Sequence, residues 1–246
     1  MKTGQANMET VDMGVENSGI QDIKITDKST GELAGSSKEH FLAWDKEYLH
    51  LKWGGPASIR NLHAFLSPGA RVLDAGSGNG RYLGELSRNF IAVGVDVSFT
   101  ALYSSRLQLE RSERFAEHIV ASVHDLPFNS GSFEGIICYG VLQHLFNEER
   151  RAAVREFFRI LCPGGFVFFE GFGCEDMRCG GEPSIPFEEK TFSRQNGIIY
   201  HYFTEKEVRE LFYGFETIEL ENLIKDKTFR GKSYQRHMIR GVFRKH

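Results

Sequence analysis

The chain is short of cysteine, and what it has does not build a scaffold. Cys138, Cys162, Cys174 and Cys179 are its four cysteines among 246 residues. Free thiols are expected, as in a reducing cytoplasm. Long apolar runs are missing too. None approaches the roughly 20 residues needed to cross a bilayer, and residues 1–14 lack the basic-then-apolar pattern of a secretory signal. No membrane partner and a cytoplasmic location are therefore expected. Neither sign of charge dominates: 30 Lys and Arg stand against 33 Asp and Glu, so total charge implies no attraction to nucleic acid. The first 40 residues contain no Phe, Tyr or Trp. Such a segment buries little, and residues 1–40 are expected to form a loosely ordered arm. Within it, Ile20 to Ile25 alternates and would pair as an edge strand.

What is present fits one large α/β domain, with 41% hydrophobic and 26% charged residues. The domain is expected over residues 41–246, with a helical lid at 41–69. Phe41 to His50 and Ser58 to Leu66 would be its helices, and Tyr48 and Trp53 are candidates for packing over a cleft. Strands and helices then alternate. Apolar strands are expected at Arg71–Ala75, Ile91–Asp96, His118–Ala121, Gly135–Tyr139 and Phe166–Glu170. Helices are expected at Gly80–Arg88, at Phe99–Phe115 behind an N-cap at Ser98, and at Asn147–Leu161 with Asn147 as the cap. Near-continuous apolar strands in this rhythm imply a mostly parallel sheet covered on both faces. Residues 171–203 read as an insert on the substrate side. Thr204 to Glu207 is a capping box that opens a helix to Phe212. Phe215–Leu220 and Arg236–Arg244 would form an antiparallel pair.

The segment from Val72 to Gly80 carries the chemistry. Asp74 precedes Gly76, Gly78 and Gly80, and Asp96 ends the next strand 22 positions later. Glycines after a first strand let a ligand approach the backbone. An acid at the end of the second strand can accept both hydroxyls of a ribose. An adenosine-containing ligand is therefore expected at the carboxyl ends of the strands. The glycine spacing is one residue shorter than a dinucleotide fingerprint. Asp74 beside the turn would repel a pyrophosphate and attract an ammonium group.

Asp74 to Gly80 resembles the first motif of class I S-adenosylmethionine-dependent methyltransferases, and Gly94 to Ser98 resembles their second. Asp125 to Phe128 with Ser132 to Cys138, Val141 to Leu145, and Arg159 to Gly165 are similar to three further motifs in the same order. The resemblance spans about Arg71 to Glu170. It implies a Rossmann-like seven-stranded, mostly parallel sheet with an antiparallel C-terminal strand. It also implies S-adenosylmethionine as methyl donor, with S-adenosylhomocysteine as by-product. Asp74, Gly76, Ser77, Gly78 and Gly80 would meet the methionine part, Asp96 the ribose and Val97 the adenine. Ser122 and Val123 would lie at the adenine edge. The family often has Asp where Ser122 stands, so the Val123 backbone amide is left for that contact. Tyr139 and Gly140 would line the cleft near the methyl group. His144 and Tyr139 are the candidate general bases, and His201 or Tyr202 would reach in from the late loop.

For the acceptor, a small molecule is the first expectation. RNA is the alternative: Tyr200 to Phe203 and the basic C-terminus resemble tRNA wobble-uridine methyltransferases, and Lys225 to His246 holds eight Lys and Arg against one Asp. A non-catalytic cofactor-binding module serving a partner is a third reading. The spacing of Cys174 and Cys179, even with His201 and His237 in view, lies at the edge of zinc patterns, and no metal is expected.

Overall fold

The computed structural model describes residues 23–25, 35–50, 59–181, 185–186, 188–229 and 231–246. Most of the expected arm, and Trp53, lie outside them. The elements run β1 (Ile23–Ile25), α1 (Gly35–His50), a 3₁₀ turn (Arg60–Ala64), β2 (Arg71–Ala75), α2 (Leu83–Leu86), β3 (Ile91–Asp96), α3 (Phe99–Glu110) and β4 (Glu117–Val120). They continue with β5 (Phe133–Tyr139), a 3₁₀ turn (Leu142–His144), α4 (Asn147–Ile160), β6 (Leu161–Phe172), β7 (Thr191–Ser193), β8 (Ile199–His201), α5 (Glu205–Leu211), β9 (Glu216–Phe229) and β10 (Lys232–Arg244).

The main sheet has the order β1-β4-β3-β2-β5-β6-β10-β9. The seven expected strands form it, and β1, part of the alternating stretch, adds an eighth on the edge by pairing in parallel with β4. Only β10 runs against its neighbours, antiparallel to both β6 and β9. Two apolar layers flank the sheet. One centres on Phe157, Phe169, Phe203, Phe212 and Phe243. The other centres on Leu62, Val72, Leu83, Leu86 and Phe168. In α4 the buried Ala153, Val154, Phe157 and Ile160 make one helical stripe. Phe212 and Phe243 stack at 4.1 Å where α5 meets β10.

Several boundaries differ from the sequence expectation. Helix α2 covers only Leu83–Leu86, because the glycine turn and its following residues use the rest of that segment. Helix α3 stops at Glu110, ahead of a turn in which Glu113 has φ of 53°. The cap of α4 is Phe146, and Asn147 is the first helical residue. The Phe146 amide donates to the Glu149 carboxylate at 2.9 Å, and the Asn147 amide donates to Glu188 at 2.8 Å. Strand β6 begins at Leu161 and carries the Pro163-Gly164-Gly165 break as a register shift opposite Phe133 and Gly135. Strands β9 and β10 are longer than the alternation suggested and leave the sheet as a two-stranded ribbon.

Candidate active site

The carboxyl edge of β2 and β3 is built around two acids. Asp74, the penultimate residue of β2, is 2% exposed. Its Oδ2, like the Ser77 hydroxyl, has no hydrogen-bond partner among the described residues. Burial, and then the nearby Asp96, push the Asp74 carboxyl up to about 8. The turn after Asp74 is tied to β3, since the amides of Gly76 and Ser77 both donate to the Val95 carbonyl, at 2.8 and 2.9 Å.

Asp96 links three pieces of backbone. Its Oδ2 accepts from the Gly78 amide at 2.8 Å and its Oδ1 from the Ser98 amide at 2.9 Å. Burial raises its carboxyl to about 6 against these amide bonds, which pull it down. A carboxylate oxygen bonded once retains a lone pair, so both oxygens remain able to accept a hydroxyl. Ser98 caps α3, accepting from the Ala101 amide at 3.1 Å. Its hydroxyl donates at 2.7 Å to Asp45 on α1, which also accepts from the Thr100 amide at 3.1 Å. Helix α1 is thereby pinned to the positive end of α3.

Pinned there, α1 roofs the cleft. Trp44 and Tyr48 line a cavity whose other walls include Gly76, Asp96, Val97, Ser122, Val123, Gly140 and His144. Gly78 has φ of 53°, and a Cβ there would run into the Tyr48 hydroxyl. Burial and the facing acids raise the Tyr48 phenol, so it stays neutral. Ser122 bonds His124 Nδ1 at 2.8 Å, in place of the carboxylate that the family motif often has.

His144 and Tyr139, both expected near the methyl group, part company. His144 is 8% exposed and lies in the cavity wall. Its Nδ1 lies 2.7 Å from the Ile199 carbonyl, which fixes the proton on Nδ1. The Nε2 lone pair faces the Gln143 amide nitrogen at 3.3 Å, while Gln143 Oε1 accepts from the Phe172 amide at 3.1 Å. Tyr139 packs in the other apolar layer. Its hydroxyl accepts from Asn61 at 3.1 Å, and burial pushes it up to about 12. It does not line the cavity with His144. His201 and Tyr202 are buried within the fold. His201 lies 2.8 Å from both Thr191 Oγ1 and Glu207 Oε1 and stands outside the His144 cavity, while the Tyr202 hydroxyl accepts from Arg194 at 3.1 Å.

A second, more open cavity of about 590 Å³ adjoins this one, with Arg178, Cys179, Arg194, Tyr200 and Tyr202 in its walls. Tyr200 is the partition: its ring meets His144 edge-on at 4.8 Å and stacks on Phe172 at 6.2 Å. The Arg178 guanidinium lies over the Phe172 ring, 4.0 Å from its centroid. Among the described residues, no group of three or more His, Cys, Asp or Glu is placed to hold a metal ion, and no helix is long and apolar enough to cross a membrane.

Sequence reasoning passed over Trp44, Asp45 and Gln143. Gln143 stood inside a recognised motif, but only its bond to Phe172 reveals that it orients His144. Trp44 and Asp45 depend on where α1 docks, which no local pattern signals.

The donor set fits S-adenosylmethionine. An unpartnered buried carboxylate oxygen at Asp74 suits a cation, Asp96 suits a ribose, and Val97 and Val123 suit a flat apolar ring. Residues 73–169 match the family model described as a methyltransferase domain. The chain is 32% identical over 150 residues to the tRNA (carboxymethyluridine(34)-5-O)-methyltransferase alkbh8 of Xenopus tropicalis, covering 56% of this chain and 22% of the frog protein. It is 27% identical over 208 residues to the tRNA N(3)-cytidine methyltransferase METTL2 of Danio rerio, covering 78% of this chain and 59% of the fish protein. It thus spans less than a quarter of the first relative and under two thirds of the second. The fold is shared with the 1,6-didemethyltoxoflavin-N1-methyltransferase of Burkholderia thailandensis, a structure with bound S-adenosylhomocysteine. There the TM-score is 0.64 at 20% identity, covering 87% of this chain and 92% of that one. With motif order, strand order and cofactor cleft in agreement, the chain carries a class I, S-adenosylmethionine-dependent methyltransferase domain.

Proposed function

We propose that this chain transfers a methyl group from S-adenosylmethionine to RNA, with tRNA as the acceptor class. The observation that carries the reading is the pair of adjoining cavities. One is lined by Gly76, Asp96, Val97, Val123 and His144, and the other, with arginines in its wall, opens beside it across Tyr200. The two relatives, both tRNA methyltransferases by name, favour RNA over the small molecule that was the first expectation.

When bound, S-adenosylmethionine supplies a methyl group on a cationic sulfur, which an in-line nucleophile displaces. The protein's share is alignment and electrostatics. Asp74 provides the anionic anchor for the amino-acid end, and Asp96 fixes the sugar. Trp44 and Tyr48 exclude water from above. His144, with its proton held on Nδ1, presents Nε2 as an acceptor. Gln143 donates to the same lone pair, so His144 serves more as an oriented wall than as a strong base. A small-molecule acceptor is the second reading, favoured by the likeness in fold to a methyltransferase with bound 1,6-didemethyltoxoflavin.

Labelled-methyl transfer from S-adenosylmethionine to unfractionated tRNA and to a metabolite pool tests the proposal. Label in tRNA is the expected result. Label only in the metabolites transfers the assignment to the second reading. Tight S-adenosylhomocysteine binding with no label anywhere would make the chain a cofactor-binding module.

A further inference from the structure

The ribbon formed by β9 and β10 sorts its charges by face. Residues directly opposite in an antiparallel pair point to the same side. The register pairs Lys225 with Arg236, Lys227 with Tyr234 and Lys232 with Phe229. These pairs alternate with Ile224–His237, Asp226–Gln235 and Thr228–Ser233 on the opposite side. One face therefore carries Lys225, Lys227, Lys232 and Arg236 with Tyr234 and no acid. The other carries the acid of the stretch, Asp226. Placing Lys225 opposite Arg236 costs stability, and the fold supplies a counter-charge to Arg236, through Asp176. Among the described residues none of the three lysines is ion-paired, and all three are exposed.

The ribbon's position is as specific as its charge. The last pair between β10 and β6 is Met238 with Phe172, at the carboxyl end of β6. Residues 232–237 therefore rise about 20 Å beyond the edge where this sheet binds ligands. The basic face meets the second cavity at its base. Arg236 donates to Asp176 at 2.8 Å, and Asp176 also accepts from Arg178 at 2.7 Å. Arg178 and Arg194 line that cavity. The Asp176 carboxylate thus ties the arginine of the cavity wall to the foot of the ribbon's basic face, from which Lys225, Lys227 and Lys232 lead outward.

We propose that this face of the β9–β10 ribbon is an RNA-binding track. Its lysines contact successive backbone phosphates, Tyr234 stacks on a base, and the strand is led into the cavity beside His144. The inference rests on RNA as the acceptor and adds where RNA is held. A chain with net charge −3 has no global attraction for a polyanion, so a localised stripe supplies it.

Fluorescence anisotropy with labelled unfractionated tRNA tests the track across a salt series. One variant combines Lys225→Gln, Lys227→Gln and Lys232→Gln. A matched variant combines Thr228→Glu, Ser233→Glu and Gln235→Glu on the opposite face, with the same change in net charge. The lysine variant should lose about tenfold or more in affinity, and its log–log salt slope should fall by about 2–3, close to one per lost phosphate contact. The opposite-face variant should stay within about twofold, and both should bind S-adenosylhomocysteine as the parent does. Equal losses from both faces, or none from the lysine face, overturn the track while leaving an RNA acceptor standing. Failure of the unaltered chain to bind tRNA overturns track and acceptor together.

Discussion

A carboxyl group with a pKa near 8, like that of Asp74, is largely protonated at neutral pH. In the ligand-free protein the native state holds this proton up to about 8, whereas the unfolded chain releases it near 3.8. The folded state therefore loses stability as pH rises through that window. A cationic ligand favours the ionised form and lowers the pKa in the complex. S-adenosylhomocysteine, with its ammonium group, should bind more tightly as pH rises toward 8 and then level off. At pH 7, calorimetry in buffers of different ionisation enthalpy should register release of about one proton. Asp74→Asn should remove this dependence; a pH-independent affinity in the parent would contradict the burial-driven shift. Asp96→Ala should weaken binding of the same ligand by about 1.5–3 kcal/mol, the scale of hydrogen bonds to a charged group, read by calorimetry. Because Asp96 also holds the Gly78 and Ser98 amides, the melting temperature of the ligand-free protein should fall too.

Among the elements, α4, α5 and the late insert meet at a buried charge. Arg150 is 3% exposed. It lies 3.3 Å from Glu188 and 3.9 Å from Glu207, and donates to the Leu145 carbonyl at 2.6 Å. Burial lowers its pKa while the two acids raise it. Arg150→Ala would take the shared cation from Glu188 and Glu207, leaving them the Asn147 amide and His201, at a cost of up to about 3–5 kcal/mol. Denaturant unfolding monitored by circular dichroism should show that loss; a change under about 1 kcal/mol would mean the cluster is solvated. The parallel core and the cofactor turn were legible in the sequence because apolar strands, glycines and spaced acids are local signals. Asp96 and the residues from Val97 to His144 that line the cavity lie at the strand ends, whereas Asp74 is buried outside its walls. Tyr139 did not join them, because alternation along β5 turns its ring to the opposite side of the sheet from the His144 cavity. The roof over the cleft was harder to read. Its anchor is one carboxylate, Asp45, meeting a helix end more than fifty residues later, and such pairings leave no periodic trace. The length of the ribbon was hidden for a related reason: residues exposed on both faces show no hydrophobic alternation.

For the molecule as a whole, a balanced total charge conceals an uneven distribution. Affinity for tRNA should fall steeply between 50 and 200 mM salt, by roughly tenfold or more if several phosphates are neutralised; a flat response would argue for an uncharged acceptor. The helix across the cofactor cleft has a kinetic corollary. Tyr48 rests on the Gly78 turn and Asp45 holds α3 by two short bonds, so a donor seated beneath α1 is expected to enter, and its by-product to leave, when those bonds open. Turnover should then be governed by the exit of S-adenosylhomocysteine, showing a pre-steady-state burst of methylated product. Cutting the clamp with Asp45→Ala should shrink the burst, speed steady cycling at saturating donor, and loosen donor affinity in the same stroke.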